Sequence, residues 1–585
     1  MNVVVAEGDD EVVHLEVVGE GDDDGPAAGT AARTVSRDDW PGEVARTEAA
    51  AHLDGGHVRW VWDDTSRWYP ELLRAGVRVE RCHDLRLAHT ILRRSTSSAS
   101  SDLARADPGP WDVAPEVGEG AEEASPSSTP SLFEQWEAPP PRPERPDPLA
   151  ELALQEAALR SAGDDAGRLR LLIAAESSGA LVASELQHDG LPFRVDVHDA
   201  TLTRMLGPRP ARVGQRPALL EALAAQVRDA LDVPTLNPDS QPDLLRALRR
   251  SGLDVTSTSK WELQRSEHPA VAPLLEYKKL YRLLSANGWA WMDQWVTDGR
   301  FRAEWVPGGV VTGRWATRGG GALQLPKGIR SAVRADDGWL LVIADAAQLE
   351  PRILAAMSGD DAMVAAGARG DLYAGLVEAG VVDTRAHAKV AMLAALYGAT
   401  TGQAAMLVPR LARAYPRAVG LVDAAARVGE NGGVVSTWLG RSSVPPGEAW
   451  HAAQSAASAP DATPDDERRA RSRARDWGRF TRNFVVQGTA AEWALCWMAA
   501  LRRRLASLEG DAGVPRLAFF LHDELIVHTP GAVADDVAAA VRDAGREASR
   551  LLFGPGAPEV PLDVVVAEDY GEGGDADALP VIDDE

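Results

Sequence analysis

Residues 339–352 read Trp339-Leu340-Leu341-Val342-Ile343-Ala344-Asp345 and continue Ala346-Ala347-Gln348-Leu349-Glu350-Pro351-Arg352. The apolar run ending on an acid is predicted to be a buried strand, and Pro351 suits the opening turn of a following helix. An acid at a strand end meets ligand while its backbone is held rigidly. A second stretch repeats the theme: Leu517-Ala518-Phe519-Phe520-Leu521, then His522-Asp523-Glu524, then Leu525-Ile526-Val527-His528. Two apolar runs around three polar residues predict a hairpin with Asp523 and Glu524 at its tip. Aspartates on two separate strands suit a pair of Mg²⁺ ions about 4 Å apart, the arrangement that stabilises attacking and leaving oxygens in phosphoryl transfer. Either motif alone is equally a solvated acidic turn.

A third segment is helical. Arg385, Lys389, Leu393 and Tyr397 recur at steps of four, followed by Gly398. Four residues rise about 6 Å, so Arg385 and Lys389 project from successive turns of one face. That spacing fits two adjacent phosphates, Arg as a fork and Lys as a point charge. A basic pair at this spacing taken alone is a solvated face; the three segments together are more specific.

The chain has 585 residues, 45% hydrophobic and 25% charged, the balance of an ordinary globular protein. At about 150 residues per domain it holds three to four structural units. No apolar run reaches the roughly 18 residues of a membrane span, and the start MNVVVAEGDD has no basic segment or cleavage site, so neither membrane insertion nor secretion is expected. Only Cys82 and Cys496 are present, too few for a disulfide framework or a cysteine zinc site, which fits a reducing cytoplasm.

A net charge of −26 argues against a polyanionic partner until it is mapped. Residues 1–60 hold 14 acidic and 4 basic side chains, and 531–585 hold 14 and 3. Residues 241–335 instead carry 15 basic against 8 acidic, and 466–482 carry 7 against 3. Charge is felt within a Debye length of about 8 Å, so local surplus matters more than the total.

Along the chain, 1–94 is expected to be a small α/β unit: NVVVAEGDDEVVHLEVV supplies two strands around an acidic turn, VRWVWDD another, and LRLAHTILRR a helix. Residues 95–165 read as a disordered linker rich in Pro, Ser and Glu, with Ser131-Leu132-Phe133-Glu134 as an apolar island inside it. From 166 onward the pattern is mostly helical. Residues 443–466 are a second low-complexity stretch, expected as a surface insertion, and 571–585 form an acidic tail.

With these residues in hand, the sequence resembles the family A DNA polymerases, more closely the actinobacterial bifunctional 3′-5′ exonuclease/DNA polymerase proteins. DAAQLEPR at 345–352 resembles their motif A, Arg385 to Gly398 their motif B, and His522-Asp523-Glu524 their motif C, in that order. Flanking blocks agree: Thr312-Gly313-Arg314, Leu323-Gln324-Leu325-Pro326, Gly433 to Arg441, and Arg479 to Ala491. The resemblance implies a right-hand polymerase over 166–585, mainly α with α+β parts, its thumb at about 190–305 and its palm and fingers at about 306–570. An α/β exonuclease-like domain would precede it at 1–94.

By the same resemblance Asp345 and Asp523, with the carbonyl of Ala346, would hold two Mg²⁺ ions (Mn²⁺ as substitute), with Glu524 nearby. Arg385 and Lys389 would take the triphosphate, Lys389 also protonating the leaving pyrophosphate. Gln348, Leu393, Tyr397 and Tyr373 would line the nucleotide pocket, and Glu350 would crowd the 2′ position. Arg314, Thr312, Gln487, Arg479, Asn483 and His522 would contact primer-template DNA. The implied partners are that DNA and dNTPs. Separately, Ser131 to Glu134 faintly resembles a sliding-clamp docking peptide but lacks the leading Gln, and reads more readily as a chance apolar patch. A monomer in the cytoplasm, associated with the nucleoid, is expected.

Departures are equally legible. The motif A Tyr and Ser are Ala346 and Ala347, the motif B Phe is Leu393, and a fingers His is Tyr373. In 1–94 the four metal-binding acids of a proofreading site are not matched: Asp9-Asp10-Glu11 falls in a turn, Trp68 stands where an Asp is expected, and no Tyr lies between 70 and 276. Only Asp84 has a counterpart, so the exonuclease-like domain is expected to be degenerate and inactive. A 5′-nuclease domain has no counterpart. The alternatives are residual 3′-5′ exonuclease activity and a DNA-binding scaffold.

Overall fold

The computed structural model describes residues 1–8, 12–19, 27–112, 147–212, 214–318, 325–368, 370–399 and 401–573. Two compact units are built from interleaved segments: Met1–Asp189, Glu304–Arg318 and Val342–Val566 make the first, and Gly190–Ala303, Gly319–Leu341 and Ala567–Glu585 the second.

The first unit opens with a mixed sheet of β1 (Asn2–Glu7), β2 (Val12–Gly19), β3 (Ala27–Ser36), β4 (Arg59–Trp62) and β5 (Arg81–Asp84), in the order β3-β2-β1-β4-β5. β1 to β3 pair antiparallel, whereas β4 runs parallel to both β1 and β5. Alternation in NVVVAE sends Val3 and Val5 to one face and Val4 to the other. On the first face they meet Trp40 and Val44 of α1 (Trp40–Leu53) and Trp68, Tyr69 and Leu72 of α2 (Thr65–Arg74). On the second, Val4 and Val61 meet Leu85 of α3 (Leu85–Arg94) and Leu152 of α4 (Pro148–Ser161).

The expected strands β1, β2 and β4 and the helix α3 are present; β3, β5, α1 and α2 add to them. The linker expected over 95–165 is narrower. Ser95, Ser98 and Leu103 are buried, and α4 has Pro148 at its first turn and Asp147 capping Leu149 N (2.9 Å) and Ala150 N (3.2 Å). Pro148 starts a helix rather than preventing one. Residues 113–146, with Ser131 to Glu134, lie outside the described residues, as do Asp9-Asp10-Glu11 and 574–585.

The second sheet of this unit gathers β6 (Trp339–Ala346), β7 (Arg516–Leu521), β8 (Glu524–Pro530) and β9 (Leu562–Ala567), in the order β7-β8-β6-β9. Around it stand α5 (Ala166–Asp189), α6 (Leu349–Ser358), α7 (Leu372–Glu378), α8 (Arg385–Tyr397), α9 (Pro416–Glu430), α10 (Pro464–Leu505) and α11 (Ala534–Phe553). Thr463 and Asp466 close a capping box that starts the 42-residue α10. Its apolar half reaches the hydropathy of a membrane span, contrary to the sequence expectation, but 89% of that window is buried against the rest of the protein. The stretch 443–466 holds a helix, Glu448–Ala457, packed on α10.

The second unit is helical, built on Ala218–Leu231, Gln241–Arg250 and Val271–Asn287 around Val227, Leu231, Leu244, Leu248 and Leu274. A small sheet of Leu191–Pro192, Arg300–Phe301 and Val296–Thr297 adjoins it.

Glu492 lies within α10 at 1% exposure, accepting hydrogen bonds from Thr437 Oγ1 and Leu439 N (3.0 Å). Burial pushes its carboxyl up to about 7. A carboxyl raised above its unfolded value makes the native state bind the extra proton, so its stabilising share is lost as pH rises through about 7. Glu492→Gln cannot ionise. Its unfolding free energy relative to wild type, measured in urea, is therefore expected to climb between pH 5 and 8 by a swing on the order of 3 kcal/mol. A difference flat with pH contradicts this assignment.

Candidate active site

β7 and β8 form a tight hairpin in which Leu521 pairs with Glu524, leaving His522 and Asp523 as the two turn residues. His522 adopts φ +56°, the left-handed conformation that a two-residue hairpin turn demands. The backbone N–H of Ala346, at the end of β6, donates to the carbonyl of Asp523 at 2.8 Å. That bond sets the Asp345 strand end beside the hairpin tip, as the two sequence motifs require. Asp523 is half-buried, and lost hydration, countered by Arg314 and reinforced by Glu524, pushes its carboxyl up to about 6. Burial, then Arg314, pushes the His522 imidazole down to about 4, which keeps it neutral at pH 7.

Directly after β6, Gln348 turns the chain through φ +56° into α6 and delivers Glu350 to its first turn. Glu350 is gripped from two sides. Arg314 Nη2 donates to one oxygen and Tyr397 Oη to the other at 3.1 Å. The carboxylate thus joins the Thr312-Gly313-Arg314 turn to the last residue of α8. Tyr397 keeps 38% of its surface exposed, and burial of its hydroxyl beside Glu350 raises its pKa. Tyr373 is buried, and burial and then Glu350 push its hydroxyl up to about 12.

Asp371 forms the next node. It caps α7 through Tyr373 N (2.8 Å) and Ala374 N (3.2 Å), and accepts from Gln348 Nε2 (2.7 Å) and Arg385 Nε (2.6 Å). Burial works against it, yet the Arg385 and Gln348 hydrogen bonds hold its carboxyl below the usual range. Arg385 also lies 5.6 Å over the Tyr373 ring. Its helix α8 begins at Thr384, whose hydroxyl accepts from His387 N (3.1 Å), and ends on Gly398 at φ +73°. Lys389 and Leu393, both half-buried, follow Arg385 at successive turns.

The DNA-contact candidates Arg479, Asn483 and Gln487 occupy one face of α10 at steps of four. Two glycines fix that helix in place. A Cβ at Gly398 would meet Arg479 Cγ at 2.9 Å, and one at Gly488 would meet the Thr312 carbonyl at 3.0 Å. Arg479 pairs with Asp476 one turn earlier. Thr312, expected at the primer-template, is 4% exposed. Glu524 opens β8 just past the turn.

The structure therefore gathers Asp345, Ala346, His522 and Asp523 at one strand edge, with Glu350, Arg314 and Tyr397 in a second cluster and Gln348, Asp371, Arg385 and Tyr373 in a third. Asp371 and Arg352 were not singled out from sequence. An Asp directly before the helical LYAGLVE is a cap signal. Arg352 is 5% exposed and donates to the carbonyls of Ala347 (3.0 Å), Gly367 (3.0 Å) and Gly370, tying α6 to the α7 approach.

Asp345 and Asp523 offer hard oxygen donors. Among the described residues no group of three or more His, Cys, Asp or Glu is placed to hold a metal. A two-carboxylate site suits Mg²⁺, which keeps waters and takes substrate phosphates as further ligands.

Residues 245–571 match the family model for DNA polymerase family A. Thermostable DNA polymerase I of Thermus thermophilus is 26% identical over 348 residues, and DNA polymerase I of Chloroflexus aurantiacus 28% over 348. Those alignments take in 54% and 55% of this chain but 38% and 34% of the relatives, so the chain spans little more than a third of their length. In fold it is similar to the POL domain of Pol1 from M. smegmatis, solved with DNA primer-template and dNTP: TM-score 0.61, 16% identity, 98% of this chain and 95% of that one.

Replacing Arg352 by Met removes the fork and leaves three carbonyls without their donor. Stability in urea is expected to drop by about 3 kcal/mol. A loss under about 1 kcal/mol would show that Arg352 does not hold these segments together.

Proposed function

Since the chain belongs to DNA polymerase family A, we propose that it is a template-directed DNA polymerase that extends a primer 3′ end with dNTPs. The observation that carries this reading is the Ala346 N–Asp523 O bond, which brings two acid-bearing strand ends together. Asp345, Asp523 and the Ala346 carbonyl would hold two Mg²⁺ ions, which when bound supply charge stabilisation to the attacking and leaving oxygens. The protein's own part is positioning. Arg385, now on Asp371, would transfer to the triphosphate, with Lys389 one turn along the same face to neutralise the leaving pyrophosphate. Glu350, pinned by Arg314 and Tyr397, would stand where a 2′-hydroxyl has no room. Arg314 and Gln487 would meet the primer-template from the minor-groove side, where purine N3 and pyrimidine O2 are the acceptors. Leu393 offers no aromatic face to the incoming nucleotide, so discrimination between nucleotides would be atypical.

Two further parts of the reading have their own support. The compact segment Gly190–Ala303 supports a thumb at about 190–305, with palm and fingers at about 306–570. The mixed sheet of β1 to β5 supports an exonuclease-like domain at 1–94, and its side chains support inactivity. Arg67 pairs at once with Glu7 and Asp63 (2.7 Å), and Arg37 binds Glu71 (2.7 Å) while covering Trp68 at 4.5 Å. Guanidinium groups thus compensate the acids that lie around Trp68, and none of these acids is left to gather a metal pair. Asp84, 2% exposed, accepts from Thr65 N (2.7 Å) and Leu87 N (3.0 Å), the work of a helix cap.

Primer extension with Mg²⁺ and four dNTPs is expected for wild type and reduced at least about a thousandfold in Asp523→Ala. With dNTPs withheld, the primer should keep its length. Shortening that disappears in Asp84→Asn but survives in Asp345→Asn would establish a working exonuclease instead. Restoring the aromatic by Leu393→Phe is expected to change the relative use of matched and mismatched dNTPs; identical kinetics would remove Leu393 from the pocket.

A further inference from the structure

Arg314 sits in a loop that joins two short paired strands, Glu304–Val306 and Ala316–Arg318. Its backbone is closed by Val310 N to Arg314 O (3.1 Å) and Gly313 N to Val310 O (2.8 Å). Beneath it lies Arg441, only 8% exposed. Gly313, at φ +86°, approaches so near that a Cβ there would meet Arg441 Nε at 2.6 Å. Arg441 in turn donates through Nη2 to Glu176 at 2.6 Å, and Glu176 is 1% exposed. The other side of the loop rests on the same carboxylate: a Cβ on Gly308, φ +61°, would fall 2.9 Å from Glu176 Oε1.

Glu176 belongs to α5, and the next residue faces the N-terminal sheet. Ser177 Oγ accepts from Asp84 N (3.1 Å), and its carbonyl accepts from Cys82 Sγ (3.3 Å). Farther along α5, buried Glu185 accepts from Tyr69 of α2 (2.5 Å) and from Arg502 of α10 (2.8 Å). Arg502 also donates to the Val79 (2.6 Å) and Glu80 (2.9 Å) carbonyls ahead of β5. One helix is therefore clamped to the N-terminal sheet on one side and bears the Arg314 loop on the other.

We propose that Glu176 and Arg441 are positioning residues for primer-template binding, and that the exonuclease-like domain serves as the brace that holds them. This rests on the reading that Arg314 contacts the primer-template. A buried ion pair is suited to the task because one carboxylate and one fork fix a loop in a single orientation. Flanking glycines let the loop backbone sit directly on the pair. It also gives a domain whose acids are locked by arginines a continuing part in polymerisation.

The test uses full-length protein in steady-state primer extension. In wild type, a 3-deazapurine at the primer 3′ end removes the minor-groove acceptor and should slow extension, as should Arg314→Ala on a natural primer. Glu176→Gln is expected to raise the primer-template KM about tenfold, the size of one lost hydrogen-bonded contact, with the dNTP KM unchanged. Its 3-deazapurine penalty should disappear, because the contact is already lost. Gly308→Ala, which pushes on the same carboxylate while keeping the charge pair, should shift KM the same way. Arg441→Lys, a point charge without the fork, should fail to restore it.

If Glu176→Gln and Gly308→Ala keep the wild-type KM and the full penalty, the brace is overturned. So it is if they lose only active fraction and melting temperature, since that marks a purely structural role. If Arg314→Ala itself shows neither effect, the reading of Arg314 fails and the brace fails with it.

Discussion

The hydrogen bond from Ala346 N–H to the Asp523 carbonyl sets the Asp345 strand end beside the hairpin tip, and the arrangement of the site follows from it. Strand ends are the cheapest place to hold an acid rigidly, because the ladder fixes the backbone and the side chain projects beyond it. Here the ladder order β7-β8-β6-β9 makes the acid-bearing ends neighbours, and the bond sets their register. A two-residue turn leaves no freedom at the hairpin tip, so His522 accepts a left-handed backbone that glycine would take more readily. The raised Asp523 carboxyl reflects the same packing, which withdraws it from water.

Around that pair the chain uses charge to park its cationic tools. Arg385 rests on Asp371 and Arg314 on Glu350, so each guanidinium is compensated within the chain. The Arg385–Asp371 pair is largely exposed and of a kind that contributes little to stability, so it can be exchanged at small cost, whereas the Arg314–Glu350 pair is more deeply buried. The nearby Arg352, which holds three backbone carbonyls and is buried, belongs to the architecture and not to the exchangeable set.

The sequence carried these parts unevenly. Asp345, Asp523, Glu350, Arg385 and Tyr397 were legible because each sits at a fixed offset from an apolar run or along a helical period. β1, β2, β4 and α3 were legible as alternating or amphipathic patterns. β3 was not: AAGTAARTVS has no large apolar alternation, and only pairing with β2 makes it a strand. The start of α4 was hidden because its Asp147 cap and Pro148 close a proline-rich stretch and were read as part of it, while the burial of Leu152 and Gln155 shows only in the fold. Glu176 and Glu492 could not be seen at all, and Arg441 only as the end of a motif block. Their contacts join residues 53 to 265 positions apart, and an isolated Glu or Arg on a helix or loop reads as surface. Thr312 shows the converse: its motif was recognised, but its burial was not.

In the N-terminal sheet, guanidinium groups stand on acids, while the same domain anchors the helix under the Arg314 loop. On the proposal made above, this sheet would keep a mechanical use whether or not it carries chemistry of its own. The most direct test of the central claim is a structure of the full chain with primer-template, a non-hydrolysable dNTP and Mn²⁺, read by anomalous scattering. The account expects two manganese peaks between Asp345 and Asp523, with the triphosphate on Arg385 and Lys389. Manganese bound elsewhere, or a nucleotide seated away from these two strand ends, would contradict it.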